Sequence, residues 1–227
     1  VALKLKNTQA VTNKGVAHLT ALVNLKEISL DDTGVTNGCC ESLAKLKKLE
    51  SIHIERDAIN DTGIAHLAGL TELKSLFLRD LGVTSKGLAS LKDLKKLNYL
   101  DLTEARLVGD DGLVHLQGLP NLVELELWFC TISDAGLKNL APMTQLKGLN
   151  LKKTQVTDAG MKELEPLVNL EWLNLNSTAV TDAGLEHLKG MKKLKKLQLQ
   201  LTGVTSEGEE KIRKLFPGIV INAPEVE

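Results

Sequence analysis

The chain has 227 residues, of which 43% are hydrophobic and 25% are charged, a composition typical of a soluble globular protein. The formal net charge of −1 gives no global attraction to nucleic acid or to an anionic membrane. No apolar run approaches the roughly 20 residues that cross a bilayer, and no segment has a signal-peptide pattern. We therefore expect a soluble protein, with its compartment unknown.

A repeat of 24 residues, with one unit of 25 beginning at Leu97, organises the chain. Each unit reads L-x-x-L-x-L-x-x-T-x-V-T-D-x-G-L-x-x-L-x-x-L, most clearly in LKGLNLKKTQVTDAGMKELEPL (146–167). A partial copy at 3–19 brings the total to about nine, so we predict one repeat domain over residues 1–227. The full units begin at Leu25, Leu49, Leu73, Leu97, Leu122, Leu146, Leu170 and Leu194.

Each unit predicts one strand followed by one helix. The L-x-L core, as at Leu149 and Leu151, alternates apolar and polar residues and predicts a short strand. Apolar residues three apart then share one helical face. Stacked units give a parallel sheet on a concave face and helices on a convex face. The position before A-G predicts helix caps at Asn13, Asn37, Asp61, Ser85, Asp110 or Asp111, Asp134, Asp158, Asp182 and Ser206.

These units resemble leucine-rich repeats, in particular a subtype with V-T-D-A-G-L units that is often found in bacterial proteins. They are also similar to the cysteine-containing repeats of F-box adaptors. The resemblance covers nearly the whole chain and implies an α/β right-handed solenoid, a horseshoe that binds partners through its surfaces and seldom catalyses reactions.

The ninth position of the unit departs from the family pattern, in which Asn is common. Leu81 and Ala105 cannot form a side-chain hydrogen bond there, so we expect nearby backbone groups to need another partner. We expect Asp57 to be satisfied by neighbouring N–H groups. The full row is Thr33, Asp57, Leu81, Ala105, Cys130, Thr154, Thr178 and Thr202.

The two ends differ from the central units. Pro217 and Gly218 interrupt the pattern before a last apolar strand at 219–221, so residues 212–227 are predicted to form a C-terminal cap. The N-terminus starts in mid-repeat, and we expect further sequence upstream of Val1. An odd number of cysteines, two of them adjacent, predicts free and buried thiols at Cys39, Cys40 and Cys130.

The candidate binding site lies on the concave face. The third, fifth, seventh and eighth residues of each unit point away from the core, and five of the six aromatic residues occupy such positions. Exposed aromatic residues in a row are typical of binding hot spots. The predicted binding residues are Phe77, Arg79, Asp80, Tyr99, Asp101, Glu104, Glu124, Glu126, Trp128, Phe129 and Trp172.

The charges on this face indicate the kind of partner. Acids predominate in repeats one to five, whereas Lys152, Lys153 and Lys196 make the C-terminal end basic. This pattern favours a protein or peptide partner with basic and apolar groups and disfavours nucleic acid. Two alternatives stay open. Asn174 and Asn176 near aromatic residues also suit a glycan receptor, and the chain also fits a structural or regulatory arm of a larger protein.

No catalytic residue, metal site or cofactor is predicted. Acid pairs such as Asp101 and Glu124 lie on a solvated sheet without a deep pocket, which disfavours glycosidase chemistry. His53 is the one histidine on the concave face and is not interpreted as catalytic. The other four histidines share one helix position on separate rungs, so they cannot converge on an ion; they are His18, His66, His115 and His187.

Overall fold

The computed structural model describes residues 1–223, so the last four residues of the predicted cap lie outside the described part. One open sheet of ten parallel strands follows the order of the chain. Its strands are β1 Ala2–Lys4, β2 Glu27–Ser29, β3 Ser51–His53, β4 Ser75–Phe77, β5 Tyr99–Asp101, β6 Glu124–Glu126, β7 Gly148–Asn150, β8 Trp172–Asn174, β9 Lys196–Gln198 and β10 Val220–Ile221.

Each strand pairs with its neighbour in the register set by the repeat. The central residues pair with one another, as Leu125 does with Leu149, and these leucines are buried in the core. The first and third residues of a strand flank this buried position on the concave side. Equivalent side chains of successive repeats therefore stand side by side, about 4.8 Å apart.

The convex side is built from short helical segments that are less continuous than predicted. Repeats three and four contain only 3₁₀ segments, Gly87–Leu91 and Asp110–Leu116. Apolar residues that recur every third position match the 3.0-residue turn of this helix better than the 3.6-residue α turn. The α-helices are α1 Asn13–His18, α2 Asn37–Leu43, α3 Asp61–His66, α4 Asp134–Leu137, α5 Asp158–Met161, α6 Asp182–Leu185 and α7 Ser206–Leu215.

The aspartates of the T-D-A-G motif join neighbouring repeats, which corrects their prediction as local helix caps. The cap of α5 is Thr157, whose hydroxyl accepts the N–H of Ala159 at 3.2 Å. The carboxylate of Asp134, one repeat earlier, accepts the N–H of Thr157 at 2.8 Å and its hydroxyl at 2.7 Å. The same lateral bond is formed by Asp61, Asp110, Asp158 and Asp182, and with amide side chains by Asn13 and Asn37.

The glycine of the same motif makes room for this bond. A Cβ placed on Gly160 would collide with the carboxylate of Asp134, and one on Gly184 with that of Asp158. The motif is therefore an inter-repeat joint in which an aspartate, the next threonine and the next glycine fit together.

The ninth position is satisfied differently from one repeat to the next. In repeat six the hydroxyl of Thr154 donates to the carbonyl of Leu151 at 2.6 Å. In repeat four, where Ala105 has no such group, the thiol of Cys130 donates from the next rung to the carbonyl of Leu102 at 3.0 Å. The partner that we expected this repeat to need is therefore a neighbouring cysteine.

Asp57 is only half satisfied. One carboxylate oxygen accepts the N–H of Thr33 at 2.9 Å and its hydroxyl at 3.2 Å. The other oxygen is buried and has no hydrogen-bond partner within the described residues. Burial raises the pKa of Asp57 to about 7, because the charged form has lost solvation.

The predicted last strand and the predicted state of the cysteines agree with the structure. The predicted last strand is present as β10, which pairs with β9. All three cysteines are free and buried, and burial raises the pKa of the Cys130 thiol to about 12. Among residues 1–223, no helix combines the length and apolar character that a membrane span requires.

Candidate functional site

Three aromatic rings form a continuous stack across β3, β4 and β5. His53 lies parallel to Phe77, with ring centroids 3.9 Å apart and an angle of 10° between the planes. Phe77 in turn contacts Tyr99 at 4.8 Å with a tilt of 33°. All three side chains are half-buried, so their outer edges remain accessible on the concave face. The parallel register brings these rings together, and we call them the ring stack.

His53 is a member of the ring stack that the list of predicted binding residues omitted. It occupies the fifth position of its repeat, the same position that Phe77 occupies in the next repeat. That shared position in the repeat could have identified His53 as a neighbour of Phe77 from the sequence alone. Burial lowers the pKa of His53, so its ring is neutral at pH 7 and stacks as an aromatic group.

Arg79 lies beside the ring stack, between two carboxylates. Its guanidinium group is 3.8 Å from Glu55 and 3.6 Å from Asp101. Asp101 is only 2% exposed and accepts the N–H of Thr103 at 2.8 Å. We expected Asp101 on the accessible surface, and its burial between Thr103 and Arg79 contradicts that expectation. Asp101 is therefore a buried ion-pair partner of Arg79.

Glu126 is the most perturbed acid near the ring stack. Its carboxylate accepts the side-chain N–H of Asn150 at 2.7 Å. Burial, with smaller contributions from the charges of Asp101 and Glu124, raises the pKa of Glu126 to about 7. Burial also raises the pKa of Tyr99, so its hydroxyl stays protonated and able to donate a hydrogen bond. This part of the face therefore contains a hydroxyl donor, Tyr99, and one carboxyl group with a raised pKa, Glu126.

Trp128 and Phe129 are surrounded by cations of the chain itself. Lys152 lies 4.6 Å from the centre of the Trp128 ring, and Arg106 lies 4.5 Å from that of Phe129. Lys153 contacts both rings, at 5.8 Å and 5.5 Å. We expected these aromatic residues to attract cations of a partner. Their cation–π contacts are instead made within the chain, by residues of neighbouring turns.

The backbone of Phe129 has a left-handed conformation. The residue is 37% exposed and has φ of 60°, in the left-handed region that costs a side-chain-bearing residue energy. The eighth position has positive φ in every full repeat, because the chain turns sharply where the strand ends. These residues are Asp32, Arg56, Asp80, Glu104, Phe129, Lys153, Ser177 and Leu201.

The other predicted residues lie apart from the ring stack. Trp172 lies over Gly148 of the preceding strand, where any Cβ would overlap the indole. Asp80 is exposed, and Glu104 is half-buried and 4.0 Å from Arg106. The structure thus brings Phe77, Tyr99 and Arg79 together and places Trp128 and Phe129 in a second, cation-rich cluster.

One group of side chains has the composition of a metal site. Donor atoms of Asp31, His53 and Glu55 all lie within 4.8 Å of one another. The prediction of no metal site had weighed the helix histidines, of which His187 contacts Glu165 at 2.6 Å on the convex side. It did not consider that His53 lies beside Asp31, an acid of the preceding repeat.

Comparisons with known proteins agree with this architecture. The family model described as "Leucine-rich repeat region" matches residues 2–220. The crystal structure of internalin C2 from Listeria monocytogenes superposes with a TM-score of 0.64 at 21% identity, over 100% of this chain and 80% of that one. A leucine-rich repeat protein of Leptospira interrogans superposes with a TM-score of 0.60 at 20% identity, over 91% of this chain and 62% of that one. No curated protein sequence matches the chain.

Proposed function

The chain belongs to the leucine-rich repeat family, and on that basis we propose that it is a non-catalytic scaffold that binds a protein or peptide on its concave face. We assign its units to the V-T-D-A-G-L subtype, because the aspartate, threonine and glycine of that motif form the joint between repeats. We further propose that residues 1–227 act as one repeat domain.

The observation that carries the proposal is the ring stack. Phe77 and Tyr99 present large apolar edges on rigid strands, where buried area is gained at little cost in side-chain entropy. Core positions of the repeats are filled mostly by Leu, Ile and Val, with some Met, Cys and Ala, so the core does not require these rings. A partner that covers the ring stack would remove apolar surface that the solenoid leaves half-exposed.

The charges around the ring stack favour a partner with both signs of charge. Glu124 and Glu126 flank Tyr99 and favour a basic group of the partner there. Arg106, Lys152 and Lys153 surround the second cluster and favour an acidic group at that edge. A peptide that follows the concave face can satisfy both, with apolar side chains between them.

A protein partner is favoured over a glycan by the state of two asparagines. Asn174 and Asn176 are 7% and 3% exposed. The carbonyl oxygen of Asn174 accepts the N–H of Asn176 at 3.0 Å, and that of Asn176 accepts the N–H of Gln200 at 2.6 Å. These amides stabilise the turn and do not offer hydrogen bonds to a sugar.

The test is the affinity of a partner isolated with the wild-type protein. We expect the double substitution Phe77→Ser with Tyr99→Ser to weaken binding by about a hundredfold, the effect of losing two hot-spot residues. Leu201→Ser is the matched control, because Leu201 is 86% exposed at the far end of the same face. Equal affinity of the double variant and the control, with both folded by circular dichroism, would disprove the proposed site.

A further inference from the structure

Three metal-ligating side chains converge at the N-terminal side of the ring stack. Asp31 and Glu55 occupy the seventh position of successive repeats, two residues beyond β2 and β3. His53 is the last residue of β3, and its register partner is Ser29. Since parallel rungs hold equivalent positions side by side, two carboxylates and an imidazole meet with donor atoms within 4.8 Å of one another.

The surrounding contacts hold these groups in place. Asp31 is 7% exposed, and its carboxylate accepts the hydroxyl of Ser29 at 2.7 Å and the backbone N–H of Glu55 at 3.2 Å. The ring of His53 is fixed by Phe77 on one face and by a 3.2 Å hydrogen bond between its Nε2 and Ser51. When Nε2 donates that bond, Nδ1 carries the free lone pair of a neutral imidazole.

Neither arginine near Glu55 forms a hydrogen bond with its carboxylate, so this group remains able to bind a cation. Two guanidinium groups are near Glu55, Arg56 at 3.6 Å and Arg79 at 3.8 Å, but both separations exceed hydrogen-bond length. Arg56 forms its close bond with Asp32, at 2.8 Å, and Arg79 also lies near Asp101.

We propose that Asp31, His53 and Glu55 bind one divalent transition-metal ion of the zinc type. Zinc takes nitrogen and oxygen ligands at about 2.0–2.2 Å, so tetrahedral donors lie about 3.4 Å apart. The donor atoms lie within 4.8 Å of one another, so small side-chain rotations are required to bring them to that spacing. The imidazole favours zinc over Mg²⁺ and Ca²⁺, which prefer oxygen ligands only. Three protein ligands leave a coordination position for water or for a group of another molecule.

The test is calorimetric titration of the metal-stripped full chain with Zn²⁺, with Mg²⁺ and Ca²⁺ as comparison ions. We expect one zinc site per chain. Glu55→Gln, which keeps the shape of the side chain, and His53→Gln are each expected to raise the Kd at least about tenfold, since losing even a residue that only orients a ligand costs about 10–100-fold. Arg79→Gln is expected to lower the Kd, since it removes a positive charge 3.8 Å from Glu55.

The matched control is His187→Gln. His187 and Glu165 form a histidine–carboxylate pair at 2.6 Å on the convex side, and within residues 1–223 no third ligand joins this pair. We expect this variant to bind zinc as the wild type does. Absence of zinc binding, wild-type affinity in Glu55→Gln, or loss of binding in His187→Gln would each overturn the assignment. Thermal unfolding without metal shows that the variants are folded. The titration involves no partner, so its failure leaves the proposed protein-binding function to its own test.

Discussion

Replacement of Glu126 by glutamine should stabilise the protein at alkaline pH. The pKa of Glu126 rises from its ordinary 4.5 to about 7 in the folded chain, chiefly because the carboxylate is buried. Protonation therefore favours the folded state, and stability decreases as the pH rises from 4.5 to 7. At 1.36 kcal/mol per pKa unit, this group costs about 3 kcal/mol at pH 8 and under about 1 kcal/mol at pH 5. Glutamine removes the charge and keeps an oxygen that accepts from Asn150.

The assay is urea unfolding of wild type and Glu126→Gln at pH 5 and pH 8. We expect the variant to be more stable by up to about 3 kcal/mol at pH 8, with little difference at pH 5. Glu210→Gln is the control, since Lys214 lowers the pKa of Glu210 and the direction of any effect is reversed. Asp57 adds the same pH dependence to every variant and cancels in the comparison. A variant that is no more stable than wild type at pH 8 would refute the reasoning.

Three further predictions concern the scaffold, each measured by urea unfolding. Asp134→Ala should cost about 2–3 kcal/mol, because Thr157 loses two hydrogen bonds, whereas Asp134→Asn should cost under about 1 kcal/mol; equal costs would contradict the lateral joint. Gly148→Ala should destabilise by about 1–3 kcal/mol, because its methyl group displaces the Trp172 indole; an unchanged stability would show that the indole does not lie there. Leu201→Asn should stabilise by about 0.5 kcal/mol, since asparagine tolerates φ of 57° better; a loss of stability would count against backbone strain.

The sequence predicted the sheet and its register because one period governs the whole chain. Once each L-x-L was assigned to a strand, the equivalent leucines had to pair, as Leu125 and Leu149 do. The lateral joints between repeats were harder to predict, because helix capping was considered only within one repeat. The bond from Asp134 to Thr157 crosses 23 residues, and only the stacked structure shows that the aspartate belongs to the next rung.

The repeat positions of the aromatic residues followed from the sequence, but the contacts of their side chains did not. Phe77, Tyr99 and Trp172 lie on strands, whereas Trp128 and Phe129 lie in the turn that follows β6. The pairing of neighbouring repeats decides which group each ring contacts. Lys152 occupies the seventh position beside that of Trp128, so a rung-by-rung comparison could have shown that cation–π contact. The burial of Asp101 depends on side-chain packing between rungs, which periodicity does not describe.

Side-chain footprinting with hydroxyl radicals, on the chain alone and saturated with its partner, tests the binding surface most directly. Aromatic rings react readily, so the ring stack reports its own coverage. We predict that Phe77 and Tyr99 become strongly protected in the complex, whereas Leu201, which is 86% exposed at the far end of the face, keeps its reactivity. Protection confined to the convex helices, with Phe77 and Tyr99 as reactive as before, would contradict binding on the concave face.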